Sequence, residues 1–186
     1  MGIPTENVRI SNCRFTHGFG VAIGSEMAGG VRNVPVEDCL FQDTFSLASV
    51  KAIRGRGSMI ENITYRDCTY TNKNPEIHDS RWSRGGIYVD QFYGDAEFDP
   101  RIAKPNDETT PLIRNVLFQN ITVDTAGGNA IYLTGLPESP LENIRLENVT
   151  AIGEHGLIAS NIRGLVMDNV SVDARNGNAV RLVNVH

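Results

Sequence analysis

Apolar and polar residues alternate in short runs along this chain, and one run returns again and again. It reads ENVRISNCRF from Glu6, RNVPVEDCLF from Arg32 and ENITYRDCTY from Glu61. It returns as RNVLFQNITV from Arg114, ENIRLENVTA from Glu142 and RGLVMDNVSV from Arg163. Its second position falls at Asn7, Asn33, Asn62, Asn115, Asn143 and Gly164, at spacings of 26, 29, 53, 28 and 21 residues. Strict alternation is the period of a strand with one buried face. One such run cannot bury a core alone, so successive runs must stack on each other. The pattern predicts an all-β parallel β-helix of about six coils, forming a single domain over residues 1–186. Helices have little claim, because glycine is frequent and no long stretch shows an apolar period of about 3.6 residues.

Stacking turns positions within the run into columns. Cys13, Cys39, Cys68, Ile121, Val149 and Val170 lie six residues after the anchor and form an inward column. In that column cysteine serves as a small hydrophobe. One position earlier stand Asn12, Asp38, Asp67, Asn120, Asn148 and Asn169, a polar column at a bend. Side-chain amides and carboxylates there satisfy backbone groups. Between the runs lies a second set of short strands: GVAIGSE, ASVKAIRG, GGIYVDQFYG, NAIYLTGLP and HGLIASN. The widest spacing also holds GDAEFDPRIAKPNDETTP, read as a side loop at about 94–112 whose acids (Asp95, Glu97, Asp99, Asp107, Glu108) are solvated.

Composition narrows the function. A net charge of −5 argues against nucleic acid as a partner, since phosphate binding needs a cationic face. No apolar run is long enough for a spanning helix, so no membrane is implied. The opening MGIPTENVRI lacks a basic segment followed by an apolar one, so no signal peptide is visible. The three cysteines make none of the close pairs that zinc sites use, and no metal or cofactor is called for.

The second strands carry the candidate chemistry. Corresponding side chains on successive coils stand about 4.8 Å apart, so distant residues line up as one outer row. His17, Ser25 and Glu26 come first, then Lys51, Arg54 and Arg56, then Tyr88, Asp90, Gln91 and Tyr93. Cations beside a histidine and aromatic rings suit an anionic sugar, with Lys and Arg pairing carboxylates and Tyr stacking or hydrogen bonding. The plainer readings are a solvated Lys51, a turn histidine at His17, and arginines that bond turn carbonyls. His78 and His155 stand without such company and receive no role.

With HGFGVAIGSEMAGGVRNV and VKAIRGRGSMIENI, the chain resembles the C-terminal portion of the polygalacturonase-type pectinases, glycoside hydrolase family 28. The resemblance implies a right-handed parallel β-helix. It also implies four signature stretches: two carrying aspartates, a Gly-His-Gly before Ile-Gly-Ser, and an Arg-Ile-Lys. Ile23, Gly24 and Ser25 match. An ungapped count places Phe19 at the histidine, while a slipped turn lets His17 supply the imidazole as the catalytic histidine. Lys51 matches the family lysine and Val50 its isoleucine, but Ser49 stands where arginine is expected. Arg54 and Arg56 are the stand-ins, and Tyr93 lies near the family's substrate-contacting tyrosine. Substrate-binding roles therefore go to Ser25, Glu26, Lys51, Arg54, Arg56 and Tyr93.

The aspartate stretches are missing. Only 16 residues precede His17, with Glu6 as their one acid. Inverting hydrolysis needs one carboxyl group to protonate the leaving oxygen and another to activate water, about 6.5–9.5 Å apart. The expectation is therefore half a site, truncated at the N-terminus, whose intact parent hydrolyses α-linked galacturonan or a related acidic pectic polysaccharide. A monomer is expected for the parent, and edge-to-edge association for a chain whose first coil is uncovered. By resemblance the setting is extracellular or periplasmic. Two alternatives stand beside this one: a non-catalytic carbohydrate-binding β-helix, and a calcium-dependent pectate lyase, which the two quoted stretches disfavour.

Overall fold

The computed structural model describes residues 2–76, 84–94 and 99–186. His78, Asp95 and Glu97 lie outside the described residues. The first coil holds β1 (Thr5–Glu6), β2 (Ile10–Ser11), β3 (Arg14–Phe15) and β4 (Val21–Ile23). The second holds β5 (Val31–Glu37), β6 (Leu40–Gln42) and β7 (Ala48–Lys51), and the third β8 (Met59–Asn72) and β9 (Gly85–Asp90). Next come β10 (Leu112–Thr125) and β11 (Asn129–Thr134), then β12 (Leu141–Gly153), β13 (His155–Ala174) and β14 (Val180–Val185). Every strand pairing is parallel, and no helix occurs among the described residues. The fold is the parallel β-helix that the repeats predict. One face stacks β5, β8, β10, β12 and the end of β13; the other stacks β4, β7, β9, β11, the start of β13 and β14.

Register follows the repeated run. Glu6, Arg32, Glu61, Arg114, Glu142 and Arg163 are successive partners up the stack, so the charge alternates at every coil. Arg32 pairs with Glu6 at 2.5 Å, Arg114 with Glu61 at 2.7 Å and Arg163 with Glu142 at 3.9 Å. Each exposed pair adds only ~0–1 kcal/mol. Their larger effect is on register, since a one-residue slip turns every side chain to the opposite face.

The corners explain the asparagines. Asn7, Asn33, Asn62, Asn115 and Asn143 have φ between 54° and 59°, and Gly164 continues the column at 75°. Asparagine and glycine enter this left-handed region most readily. Each amide then donates to the one below: Asn33 to Asn7 at 3.1 Å, Asn62 to Asn33 at 3.0 Å, Asn115 to Asn62 at 3.1 Å and Asn143 to Asn115 at 3.1 Å. The second polar column does the same, through Asn120 to Asp67 at 2.7 Å, Asn148 to Asn120 at 3.0 Å and Asn169 to Asn148 at 2.9 Å.

Inside, side chains stack as expected. Val36, Tyr65, Phe118 and Leu146 are mutual register partners and fully buried. The Tyr65 and Phe118 rings stack at 5.4 Å. Cys39, Cys68, Ile121 and Val149 form the inward column, while Cys13 on the first coil is exposed. Burial pushes the Cys68 thiol up to about 12, so it stays protonated and packs as a hydrophobe.

Candidate functional site

The outer face of the second-strand stack places the candidate residues. Val21, Ile23, Ala48 and Val50 point inward and are buried. Alternation therefore turns Ala22, Ser49 and Lys51 outward. Ser49 pairs in register with Ala22 and Tyr88, and Lys51 with Asp90. Two glycines let the coils approach here. A Cβ on Gly20 would meet the Ser46 carbonyl oxygen at 2.0 Å, and one on Gly24 the Lys51 carbonyl oxygen at 1.9 Å. Their φ values of 73° and 85° also lie in the left-handed region.

Lys51 sits in an aromatic cage. Its Nζ lies 4.4 Å from the centroid of Tyr93 and 5.3 Å from that of Phe19. Phe19 is held in place by stacking on Phe45 at 4.7 Å. The Tyr93 backbone N–H donates to the Ala52 carbonyl at 3.2 Å, which fixes that ring beside the strand end. Lys51 is only 8% exposed, and no carboxylate lies within ion-pair distance of its Nζ among the described residues. Burial pulls its ammonium below the usual lysine range, and the field of Glu26 opposes that shift. A partly desolvated cation framed by two ring faces is well placed to receive a carboxylate.

Arg56 and Arg54, two residues apart, go to opposite sides. Arg56 donates from Nη1 to both Ser25 Oγ and Glu26 Oε1, beside the Lys51 cage. The Glu26 carboxyl is held below its ordinary range by its own backbone N–H and by Arg56. Arg54 instead makes a two-bond pair with Glu138, Nε to Oε1 at 2.6 Å and Nη2 to Oε2 at 3.1 Å. Its guanidinium also lies 5.0 Å from the Phe92 ring. Arg54 thus ties the 53–57 turn to the 137–140 loop. Gly55 and Gly57 donate to the Thr109 carbonyl at 3.1 and 2.8 Å, so the residues after the side-loop acids brace the same turn.

The remaining candidates divide likewise. Tyr88 and Asp90 are fully buried, with the Tyr88 hydroxyl donating to Asp90 Oδ2 at 2.7 Å and the Phe92 N–H to Oδ1 at 2.8 Å. Burial and the Asp90 charge push the Tyr88 phenol far up, so it remains a donor. Gln91 is spent on the fold: its amide donates to the Pro111 carbonyl at 2.7 Å and accepts from the Leu136 N–H at 3.2 Å. His17 is exposed, its Nδ1 3.3 Å from Thr16 Oγ1. The ring that the structure sets over Lys51 from this turn is Phe19. The ungapped count is the sequence signal for it. Ser25, Glu26, Lys51, Arg56, Phe19 and Tyr93 therefore form one cluster. Arg54 faces Glu138, and His17 lies on the rim turn.

The sequence profile of glycosyl hydrolases family 28 matches residues 2–176. The chain belongs to glycosyl hydrolases family 28. A probable polygalacturonase of Vitis vinifera is 27% identical over 153 residues, covering 80% of this chain and 28% of the relative. Polygalacturonase-2 of Solanum lycopersicum is 27% identical over 156 residues, covering 82% of this chain and 31% of the relative. A hyperthermoactive exopolygalacturonase from Thermotoga maritima matches this fold with a TM-score of 0.66 at 23% identity, over 90% of this chain and 34% of that one. This family 28 chain thus spans about a third of the length of the proteins it resembles. Its Ser25, Glu26, Lys51 and Arg56 cluster falls within the matched residues.

Proposed function

We propose that this chain binds an acidic pectic polysaccharide, an α-linked galacturonan, across the Lys51 cage. In this reading it belongs to a glycoside hydrolase that cleaves by inversion. Lys51 pairs with a uronate carboxylate, and Tyr93 and Phe19 pack against the apolar face of a sugar ring. Arg56, oriented by Ser25 and Glu26, offers a second cationic contact, and His17 on the adjacent turn is the imidazole candidate. The observation that supports this most is the buried lysine, which has aromatic neighbours and no ion-pair partner among the described residues. Such an arrangement costs stability and suits an incoming anion.

The carboxylates at the cluster do not have the character of an acid/base pair. A general acid needs a raised pKa. Glu26 is held below its ordinary range, and the Asp90 oxygens already accept bonds from Tyr88 and Phe92. In this proposal the acid/base pair comes from chain outside these 186 residues, in an extracellular or periplasmic protein. The same observation favours a second reading, a β-helix that binds pectic chains without cleaving them.

Reducing-end release from polygalacturonate, measured beside trigalacturonate binding and with a Lys51→Ala control, tests the proposal. Binding without release, lost in the variant, supports the half-site reading. Release lost in the variant places a carboxylate pair within the chain. Absence of binding by the folded protein refutes both readings.

A further inference from the structure

Two segments from later coils converge on the turn that carries Arg56. The Arg56 side chain is half-exposed. A long exposed side chain resists being held in one pose, because it loses rotamer freedom there. Its direction therefore depends on how firmly its backbone is held. Within the turn, the Arg56 N–H reaches the Ile53 carbonyl at 3.3 Å, outside the usual N–H···O range of about 2.7–3.2 Å. Gly55, between the two arginines, has a φ of 85°, and a Cβ there would meet nothing within 4 Å. On that side the turn is not packed.

The bracing comes from elsewhere in the stack. Besides the Thr109 carbonyl, which accepts from Gly55 and Gly57, the strongest hold is the two-bond grip of Glu138 on Arg54. The Arg54 guanidinium also lies over the Phe92 ring of the intervening coil. Glu138 is itself presented rigidly. Pro137 and Pro140 fix φ on either side of it. The chain leaves β11 at Gly135, where a Cβ would meet the Asn161 carbonyl oxygen at 2.3 Å and the Leu141 nitrogen at 2.5 Å. The Leu136 N–H donates to Gln91 Oε1 at 3.2 Å, and Ser139 Oγ donates to the Pro111 carbonyl at 2.8 Å. Asn106 Nδ2 of the side loop donates to the Glu138 carbonyl at 3.3 Å. The Glu138 side chain is almost wholly buried. Burial raises its pKa, but the Arg54 bonds and the N–H groups of Glu138 and Lys104 outweigh that and keep it anionic.

We propose that Glu138 is a positioning residue for the ligand site. By clamping Arg54 it fixes the 53–57 turn and aims Arg56 at Ser25, Glu26 and the incoming uronate. Glu138 touches no ligand itself and acts through a partner 84 residues earlier in the chain. The inference rests on the proposed function for its ligand, and it adds a residue that lies outside the Lys51 cluster.

A double-mutant cycle on the whole chain provides the test, with trigalacturonate affinity read by calorimetry and the Arg56 Nε–H resonance by NMR. Glu138→Gln and Arg56→Ala each weaken binding by about tenfold, the loss of a charge-assisted bond. The double variant binds no more weakly than Arg56→Ala, because Glu138 acts only through Arg56. The Arg56 resonance moves in Glu138→Gln before any ligand is added. Arg54→Lys keeps a charge beside Glu138 but loses the two-bond fork, so it stays folded and shows the same displaced resonance with severalfold weaker binding. Asn115→Ala breaks a corner ladder on the other strand stack and leaves both affinity and resonance unchanged, which separates positioning from lost stability. Additive losses in the double variant, unchanged affinity in Glu138→Gln, or an Arg56 resonance that stays in place overturn the proposal. If the folded wild-type chain binds no trigalacturonate, the proposed function fails, and the resonance alone decides whether Glu138 aims Arg56.

Discussion

Replacing Lys51 by methionine keeps the aliphatic stem and removes only the charge. The Nζ interacts with two rings, at 4.4 and 5.3 Å, and each such contact contributes ~0.5–1 kcal/mol. Losing both costs about 1–2 kcal/mol. Against this, the folded chain no longer desolvates an ammonium, the penalty that pulls the Lys51 pKa down. The two effects oppose each other, so the net change in stability is within about 1 kcal/mol, or roughly 2–4 °C in Tm. Ligand binding has no such offset. A hydrogen bond from a charged donor to a carboxylate contributes ~1.5–3 kcal/mol, so trigalacturonate affinity falls by about 10- to 150-fold. Thermal unfolding by circular dichroism and calorimetric titration read the two quantities on the same preparations. The reasoning is refuted if Lys51→Met unfolds the chain by several kcal/mol yet binds the sugar unchanged, because Lys51 would then be a packing residue. A pH series adds a sign check. A lysine with a depressed folded pKa is a burden below that pKa, so wild-type stability relative to Lys51→Met rises as pH climbs toward the unfolded lysine value.

Glu138→Gln breaks the Arg54 pair, whose side chains are 18% and 6% exposed, and should cost about 2 kcal/mol in urea unfolding, less than the ~3–5 of a fully buried pair. Because Arg54 and local N–H groups outweigh burial and hold the Glu138 carboxyl below its ordinary 4.5, the pair's contribution is complete above that pH and is lost as pH falls through the folded pKa. The acid limb of a stability profile should therefore flatten in Glu138→Gln. Phe118→Ala removes a fully buried ring stacked on Tyr65, and should lower unfolding free energy by ~3–5 kcal/mol. Asn115→Ala places an ordinary residue at φ 54° and severs two ladder bonds; a loss of about 2 kcal/mol is expected. Asn115→Gly should lose about half as much, and equal losses in chemical denaturation would remove the backbone from the explanation.

The fold was legible because its cause is periodic and local. Alternation decides which face of each strand is buried, and repetition of the asparagine that tolerates a left-handed corner marks where each coil bends. Asn33, Asn62 and Asn115 carry that signal in the letters alone. The alternating Glu6, Arg32, Glu61 and Arg114 column was equally present in the sequence. It becomes a ladder of charge only once the coils are placed in register.

The site was legible as a neighbourhood and not as a set of contacts. Lys51 and Tyr93 meet because strand spacing brings coils together, which repeats foretell. The fates of Arg54 and Arg56 depend on which acid each reaches across the stack: Glu138, 84 residues away, or Glu26, 30 residues back. Sequence spacing carries no information on that choice, because two residues in a tight turn can point either way. Tyr88, Asp90 and Gln91 share a strand face and its following bend with candidate ligands, yet their polar atoms are taken up by Asp90, Phe92 and Pro111. His17 and Phe19 present the same contrast: the letters offer an imidazole, and the turn sets a phenyl ring over the ammonium. Sequence by itself determined a stack of parallel coils and the row that faces outward. Only the tertiary structure decided which charges in that row cancel and which remain for a ligand, since pairing depends on distances between coils that no single coil encodes.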